Sequence, residues 1–124
     1  MTDLYREEIL DHYHYPNNYG RLKQVDREGS ESNPMCGDRQ TWQFKLDGDG
    51  VISEISFTGE GCALSIASAS ILSEYLKGKK IDALGKLDAE QVFDLLGFRT
   101  GPARAKCVLL PLEVLRQMND QKHQ

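Results

Sequence analysis

The sequence predicts an α+β fold, a small antiparallel sheet packed against helices. Three observations carry that expectation. Two stretches alternate apolar and polar residues on either side of Asp47-Gly48-Asp49-Gly50, which is strong turn chemistry for a β-hairpin. Four other stretches show helical spacing or helix-end signals instead of alternation. The chain has 124 residues, 40% hydrophobic and 27% charged, which suits one compact domain, expected over residues 1–124.

Taken in order, Thr2 is placed to cap a first helix running to about His14, with Leu4, Tyr5, Ile9 and Tyr13 near one face. Pro16 with Asn17-Asn18 ends it. His12 and His14 are two apart, so they point away from each other, and both are expected in solvent. Residues 20–33 are polar and poorly patterned; they read as a connection with at most a weak edge strand. In the hairpin, Trp42, Phe44 and Leu46 alternate with Thr41, Gln43 and Lys45. Val51, Ile55 and Phe57 alternate with Ile52, Glu54 and Ser56, which gives the sheet one apolar face.

A helix from about Ala63 to Lys77 follows, stopped by Gly78. Its many small residues and few charges predict a buried, closely packed element. Lys77, Lys79 and Lys80 read as a solvated helix end. Asp88 opens the next helix, with Gln91 completing a capping box and Leu87 and Val92 a hydrophobic staple, and Gly97 closes it. The last helix begins near Ala103–Cys107 and runs to about Asn119 on Val108, Leu112, Leu115 and Met118. Pro111 either kinks that helix, depriving the Cys107 carbonyl of its partner, or lies in the first turn of a helix that starts later.

The bulk numbers exclude some functions. A net charge of −4 and a pI near 5.3, with no basic stripe, argue against nucleic-acid binding. No apolar stretch approaches the length of a membrane span, and the acidic N-terminus shows no signal peptide, so the cytoplasm is the expected compartment. There, three cysteines read as metal ligands or reactive thiols before structural disulfides.

The three cysteines and one aspartate lie far apart in the chain, each in a telling setting. They occur in Asn33-Pro34-Met35-Cys36-Gly37-Asp38, Gly59-Glu60-Gly61-Cys62-Ala63 and Arg104-Ala105-Lys106-Cys107. Cys36, Cys62, Cys107 and Asp38 form a four-ligand set for a soft or borderline metal, or for an iron–sulfur cluster. Cys36 and Asp38 are expected in an irregular loop where both side chains reach one ion. Cys62 opens a helix, where free N–H groups favour a thiolate; Arg104 and Lys106 do the same for Cys107. Each residue alone also has an ordinary reading. Cys36 and Asp38 fit a turn beside a helix cap, Cys62 fits as a small apolar filler, Cys107 as a core residue, and Arg39 as a solvated charge. What joins the cysteines is that all three fall at element boundaries, and element ends can converge on one point.

Three thiolates and a carboxylate carry four negative charges, and a dication leaves two, which Arg104, Lys106 and Arg39 are placed to offset. Asp38 is the informative departure. A lasting zinc or ferredoxin-type site favours sulfur and nitrogen, whereas a carboxylate is a harder ligand and makes one corner exchangeable. That suits a protein that holds a metal or cluster and then gives it up.

These segments, together with Tyr5-Arg6-Glu7-Glu8-Ile9-Leu10-Asp11-His12-Tyr13, Pro16-Asn17-Asn18, Gly20 and Ser65 with Ala67-Ser68-Ala69-Ser70, resemble the U-type iron–sulfur cluster scaffold proteins. That family comprises IscU, SufU and the N-terminal domain of NifU, and the resemblance covers almost the whole chain. It implies a scaffold on which a [2Fe–2S] cluster is built from iron and desulfurase-derived sulfur and passed to apo-proteins. It implies Cys36, Asp38, Cys62 and Cys107 as ligands, with zinc often held there in the isolated protein. The implied partners are a cysteine desulfurase, an iron or electron donor and recipient apo-proteins. Such a protein is a carrier rather than an enzyme, with Cys107 as first candidate to accept persulfide sulfur.

Lys106 stands where the IscU branch has His, and Gly101–Lys106 replaces its Leu-Pro-Pro-Val-Lys segment; the Arg-x-Lys-Cys form is similar to SufU. The 44 residues between Cys62 and Cys107 are too few for the usual SufU insertion. The alternative is therefore a zinc-dependent sulfur acceptor that activates a desulfurase, with Cys36 the acceptor. A purely structural zinc module is the third reading, and Asp38 speaks against it.

Overall fold

The computed structural model describes residues 3–34 and 37–121, and the side chains of residues 6–34 and 37–120. The chain runs α1 (Asp3–His14), β1 (Arg27–Asn33), β2 (Asp38–Leu46), β3 (Ile52–Glu60), α2 (Ala63–Leu76), a short 3₁₀ helix (Ile81–Lys86), α3 (Ala89–Leu96), α4 (Pro102–Val108) and α5 (Leu110–Gln121). The strands form one antiparallel sheet in the order β1-β2-β3. Helix α2 packs on β3, α5 on β1 and β2, and α1 on α2. The expected α+β class is the one observed. The proposed Thr2 cap and the side chains of Leu4 and Tyr5 lie outside the described residues.

The sheet faces its helices through alternate residues. On β2 the inward stripe is Asp38, Gln40, Trp42 and Phe44, all buried. Trp42 pairs with Phe57 and Phe44 with Ile55; the Trp42 and Phe57 rings stack at 5.4 Å, and Phe44 meets Trp42 edge-on. The hairpin differs from expectation at its turn. The register shifts between Lys45 and Leu46, so Leu46 pairs with Ile52. This irregularity reverses the alternation there: Ile52 enters the core fully buried, and Val51 is half-buried.

The polar stretch before the hairpin forms a full edge strand of seven residues, where a connection with at most a weak edge strand was expected. Its alternation is invisible because only Gly29 is buried along it. Helix α5 satisfies the outward backbone of one residue, Ser30. The Ser30 N–H donates to Gln117 Oε1 at 3.1 Å, and Gln117 Nε2 donates to the Ser30 carbonyl at 3.1 Å.

Helix α2 is buried almost all round, as its small residues predict, and its serines connect it to neighbours. Ser68 Oγ donates to the Val108 carbonyl at 2.8 Å. Ser70 Oγ lies 2.7 Å from His12 Nδ1 and accepts from the Asn17 N–H at 2.8 Å. His12 is thus half-buried against α2, contrary to the expectation of solvent, while His14 is exposed. The sequence carried no sign of this because the partner lies 58 residues away.

Asp88 caps α3 by accepting from the Gln91 N–H at 2.9 Å. The Gln91 side chain goes to the Tyr75 hydroxyl at 3.0 Å, so only half of the capping box forms. Of the three lysines assigned to solvent, Lys77 and Lys80 are exposed, but Lys79 is half-buried with its ammonium over the Tyr75 ring. The last helix is two, in keeping with the second of the two readings of Pro111. It breaks at Leu109 (φ −93°, ψ 1°), and Pro111 is the second residue of α5, where its missing N–H is harmless. Among the described residues no helix is long and apolar enough to cross a membrane.

Candidate metal centre

Three element ends meet at one point. β2 begins at Asp38, α2 is capped by Cys62 in extended conformation (φ −73°, ψ 165°), and Cys107 lies in the last turn of α4. A potential ligand atom from each of Asp38, Cys62 and Cys107 lies within 4.8 Å of the others. Cys62 is exposed and Cys107 buried. Cys36 lies outside the described residues. Asp38 is not in an irregular loop: it is the first ladder residue of β2, opposite Asn33, because β1 extends farther than its polar sequence suggests.

Asp38 is 1% exposed. Its Oδ1 accepts the Cys62 N–H at 3.1 Å, satisfying one orphan donor at the start of α2. Its Oδ2 is buried and has no hydrogen-bond partner among the described residues. An unpartnered carboxylate oxygen in the interior is costly, and a cation is the partner that best offsets it. One hard oxygen beside two thiols is a donor set that fits zinc or iron, with a sulfur-rich side and one weaker corner.

Gly61 makes this approach possible. A Cβ at that position, whose φ is +153°, would come within 2.4 Å of Asp38 Oδ1 and 2.7 Å of Ser65 Oγ. Ser65 Oγ in turn donates to the Cys62 carbonyl at 3.1 Å. Two further residues support the same junction. Gln40 Nε2 donates to the Ser65 carbonyl at 3.0 Å, and Trp42 Nε1 donates to Gln40 Oε1 at 3.0 Å. The sequence reading missed Gln40, Ser65 and Gly61 as contributors. The available signal was Gln40's place in the same alternation as Trp42 and Phe44, an amide in an apolar stripe.

The cationic neighbours are arranged less closely. Arg104 and Lys106 are exposed on α4. Lys106 lines a groove of about 380 Å³ with Pro34, Leu109 and Glu113. Arg39 is exposed and pairs with Glu60 at 3.0 Å, which matches its reading as a surface charge.

Residues 4–120 match the family model described as NifU-like N terminal domain. The zinc-dependent sulfurtransferase SufU of Bacillus subtilis (strain 168) is 37% identical over 137 aligned positions, covering 94% of this chain and 90% of the relative. The iron–sulfur cluster assembly scaffold protein IscU of Haemophilus influenzae is 32% identical, covering 90% of each. Among solved structures, a candidate SUF-system cluster assembly scaffold of Fervidobacterium islandicum AW-1 superposes with a TM-score of 0.77 at 26% identity, over 91% of this chain and 94% of that one. The N-terminal part of a NifU-like protein of Brucella abortus superposes with a TM-score of 0.76 at 22% identity, over 98% and 95%, which bears on the fold alone.

Proposed function

The chain belongs to the NifU-like N-terminal domain family, and from that membership we propose that it is a scaffold for iron–sulfur cluster assembly. On this reading a [2Fe–2S] cluster is built from iron and desulfurase-derived sulfur, with an electron donor reducing the persulfide sulfur to sulfide, and is transferred to recipient apo-proteins in the cytoplasm. Cys36, Asp38, Cys62 and Cys107 are the proposed ligands. The observation that supports the reading is the buried carboxylate of Asp38, one oxygen of which has no partner among the described residues, on a side chain grouped within 4.8 Å of two cysteine sulfurs. A carboxylate corner holds iron less firmly than a fourth thiolate, which is what a donor of clusters requires.

Sulfur would arrive as the outer atom of a desulfurase persulfide. A scaffold thiolate attacks that atom, the S–S bond breaks, and the desulfurase cysteine leaves as thiolate. Cys107 and Cys36 are the proposed acceptors. Cys107 is buried, so delivery to it requires the surface above it to open, whereas Cys62 is already exposed. Arg104 and Lys106 are close in sequence to Cys107 and are proposed to balance the charge of the loaded site.

The experiment is anaerobic incubation with a cysteine desulfurase, cysteine, ferrous iron and a thiol reductant, followed by visible absorbance, metal analysis and transfer to an apo-ferredoxin. About two irons and two sulfides per site, transferable, is the expected result. The second reading is a zinc-dependent sulfur acceptor, favoured by the 37% identity to a zinc-dependent sulfurtransferase. A colourless protein that keeps one zinc and accelerates the desulfurase would select it.

A further inference from the structure

We propose that Gln40 is a positioning residue for the metal centre, a buried amide that holds the first turn of α2, and with it Cys62, against the strand that carries Asp38. The inference rests on reading Asp38, Cys62 and Cys107 as metal ligands.

Gln40 is 1% exposed and sits on the inward stripe of β2, between Asp38 and Trp42. Both ends of its amide are used, in an orientation that chemistry fixes. An indole N–H only donates, so the atom facing Trp42 is Oε1; a backbone carbonyl only accepts, so the atom facing Ser65 is Nε2. Ser65 lies in the first turn of α2 and is bonded back to the Cys62 carbonyl through its own hydroxyl. The strand opposite leaves room for this side chain. Gly59 pairs with Gln40, and a Cβ there would lie 2.9 Å from Gln40 Cγ.

Strand and helix are therefore tied twice, through Asp38 to the Cys62 N–H and through Gln40 to the Ser65 carbonyl. The first tie uses a proposed ligand, whose charge is shared with whatever cation binds. The second uses none, so it holds Cys62 in place while the carboxylate exchanges. An apolar side chain would fill this interior position without the need for two matched partners. The amide earns its place by geometry: it fixes one distance across the strand–helix junction.

The test uses the full chain, zinc affinity from chelator competition, the cobalt(II) absorption spectrum as a report on ligand geometry, and thermal melting. Gln40→Met keeps the volume and removes both bonds; Gln40→Glu keeps the acceptor for Trp42 and removes the donor to Ser65; Trp42→Phe removes the indole donor and some core volume but leaves the bond to Ser65. Gln40→Met and Gln40→Glu are expected to bind zinc about tenfold more weakly, with a changed cobalt spectrum. Trp42→Phe is expected to lower the melting temperature with a much smaller loss of affinity. If Gln40→Met and Gln40→Glu melt lower but match wild type in zinc affinity and cobalt spectrum, Gln40 is structural only and the proposal is overturned. If Gln40→Met does not fold, Gln40→Glu against Trp42→Phe decides it. Wild-type protein that binds neither metal would overturn the metal-centre reading itself, a result distinct from either of these.

Discussion

The backbone N–H of Cys62 donates to Oδ1 of Asp38, and the other oxygen of that carboxylate is buried without a partner among the described residues. One side chain thus fixes the start of α2 and keeps a second carboxylate oxygen unused, on a residue grouped with the two thiols. Asp38→Asn keeps an acceptor for Cys62 but removes the charge. Its zinc affinity is expected to fall at least about tenfold with the melting temperature little changed. Equal affinity for the two proteins in chelator competition would remove Asp38 from the ligand set.

Replacing Asp38 by Cys supplies a softer fourth ligand. Zinc release to a chelator and cluster transfer to an apo-ferredoxin are both expected to slow. Unchanged or faster transfer would show that the carboxylate is not what makes the site exchangeable.

Gly61→Ala places a Cβ against Asp38 and Ser65 in a backbone conformation that side chains rarely adopt. A loss of about 1–3 kcal/mol is expected in urea unfolding, together with weaker zinc binding. A midpoint equal to wild type would mean that the junction relaxes freely.

Ser68→Ala removes the bond from α2 to the Val108 carbonyl and leaves that buried carbonyl without this donor. A loss of about 1–3 kcal/mol is expected. Because Val108 follows Cys107, faster hydrogen exchange along α4 should accompany it; exchange unchanged in α4 would confine the serine's role to α2.

Zinc should raise the melting temperature, and a chelator should reverse the gain. At a free concentration one hundred times the dissociation constant the gain is about 2.7 kcal/mol. Cys62→Ser and Cys107→Ser are each expected to shrink that increment severely. A full increment in either variant would exclude that thiol as a ligand.

Local chemistry made much of this fold readable. The Asp47–Gly50 turn, the Asp88 cap and the small-residue run of α2 are signals contained within a few neighbours, and each marks an element that forms. What stayed hidden depends on distant partners. Arg27–Asn33 is an edge strand whose polarity resembles a loop, and α5, distant in sequence, packs against it. His12 finds Ser70 on another helix, and the register shift near Leu46 changes which of Val51 and Ile52 is buried. At the site, position at element ends singled out Cys62 and Cys107, and spacing from Cys36 singled out Asp38; the fold brings these three together. Gly61, Ser65 and Gln40 support them through close approach and backbone bonding, which side-chain chemistry does not advertise.

The clasp between Gln117 and Ser30 has a consequence for how this molecule behaves in company. A carboxamide has the donor and acceptor of one peptide unit, so Gln117 imitates a single residue of an absent fourth strand. An open sheet margin is a template on which another chain can crystallise its own backbone. Gln117 fills that template at Ser30 and so interrupts the run of open backbone that β1 would otherwise offer to another chain.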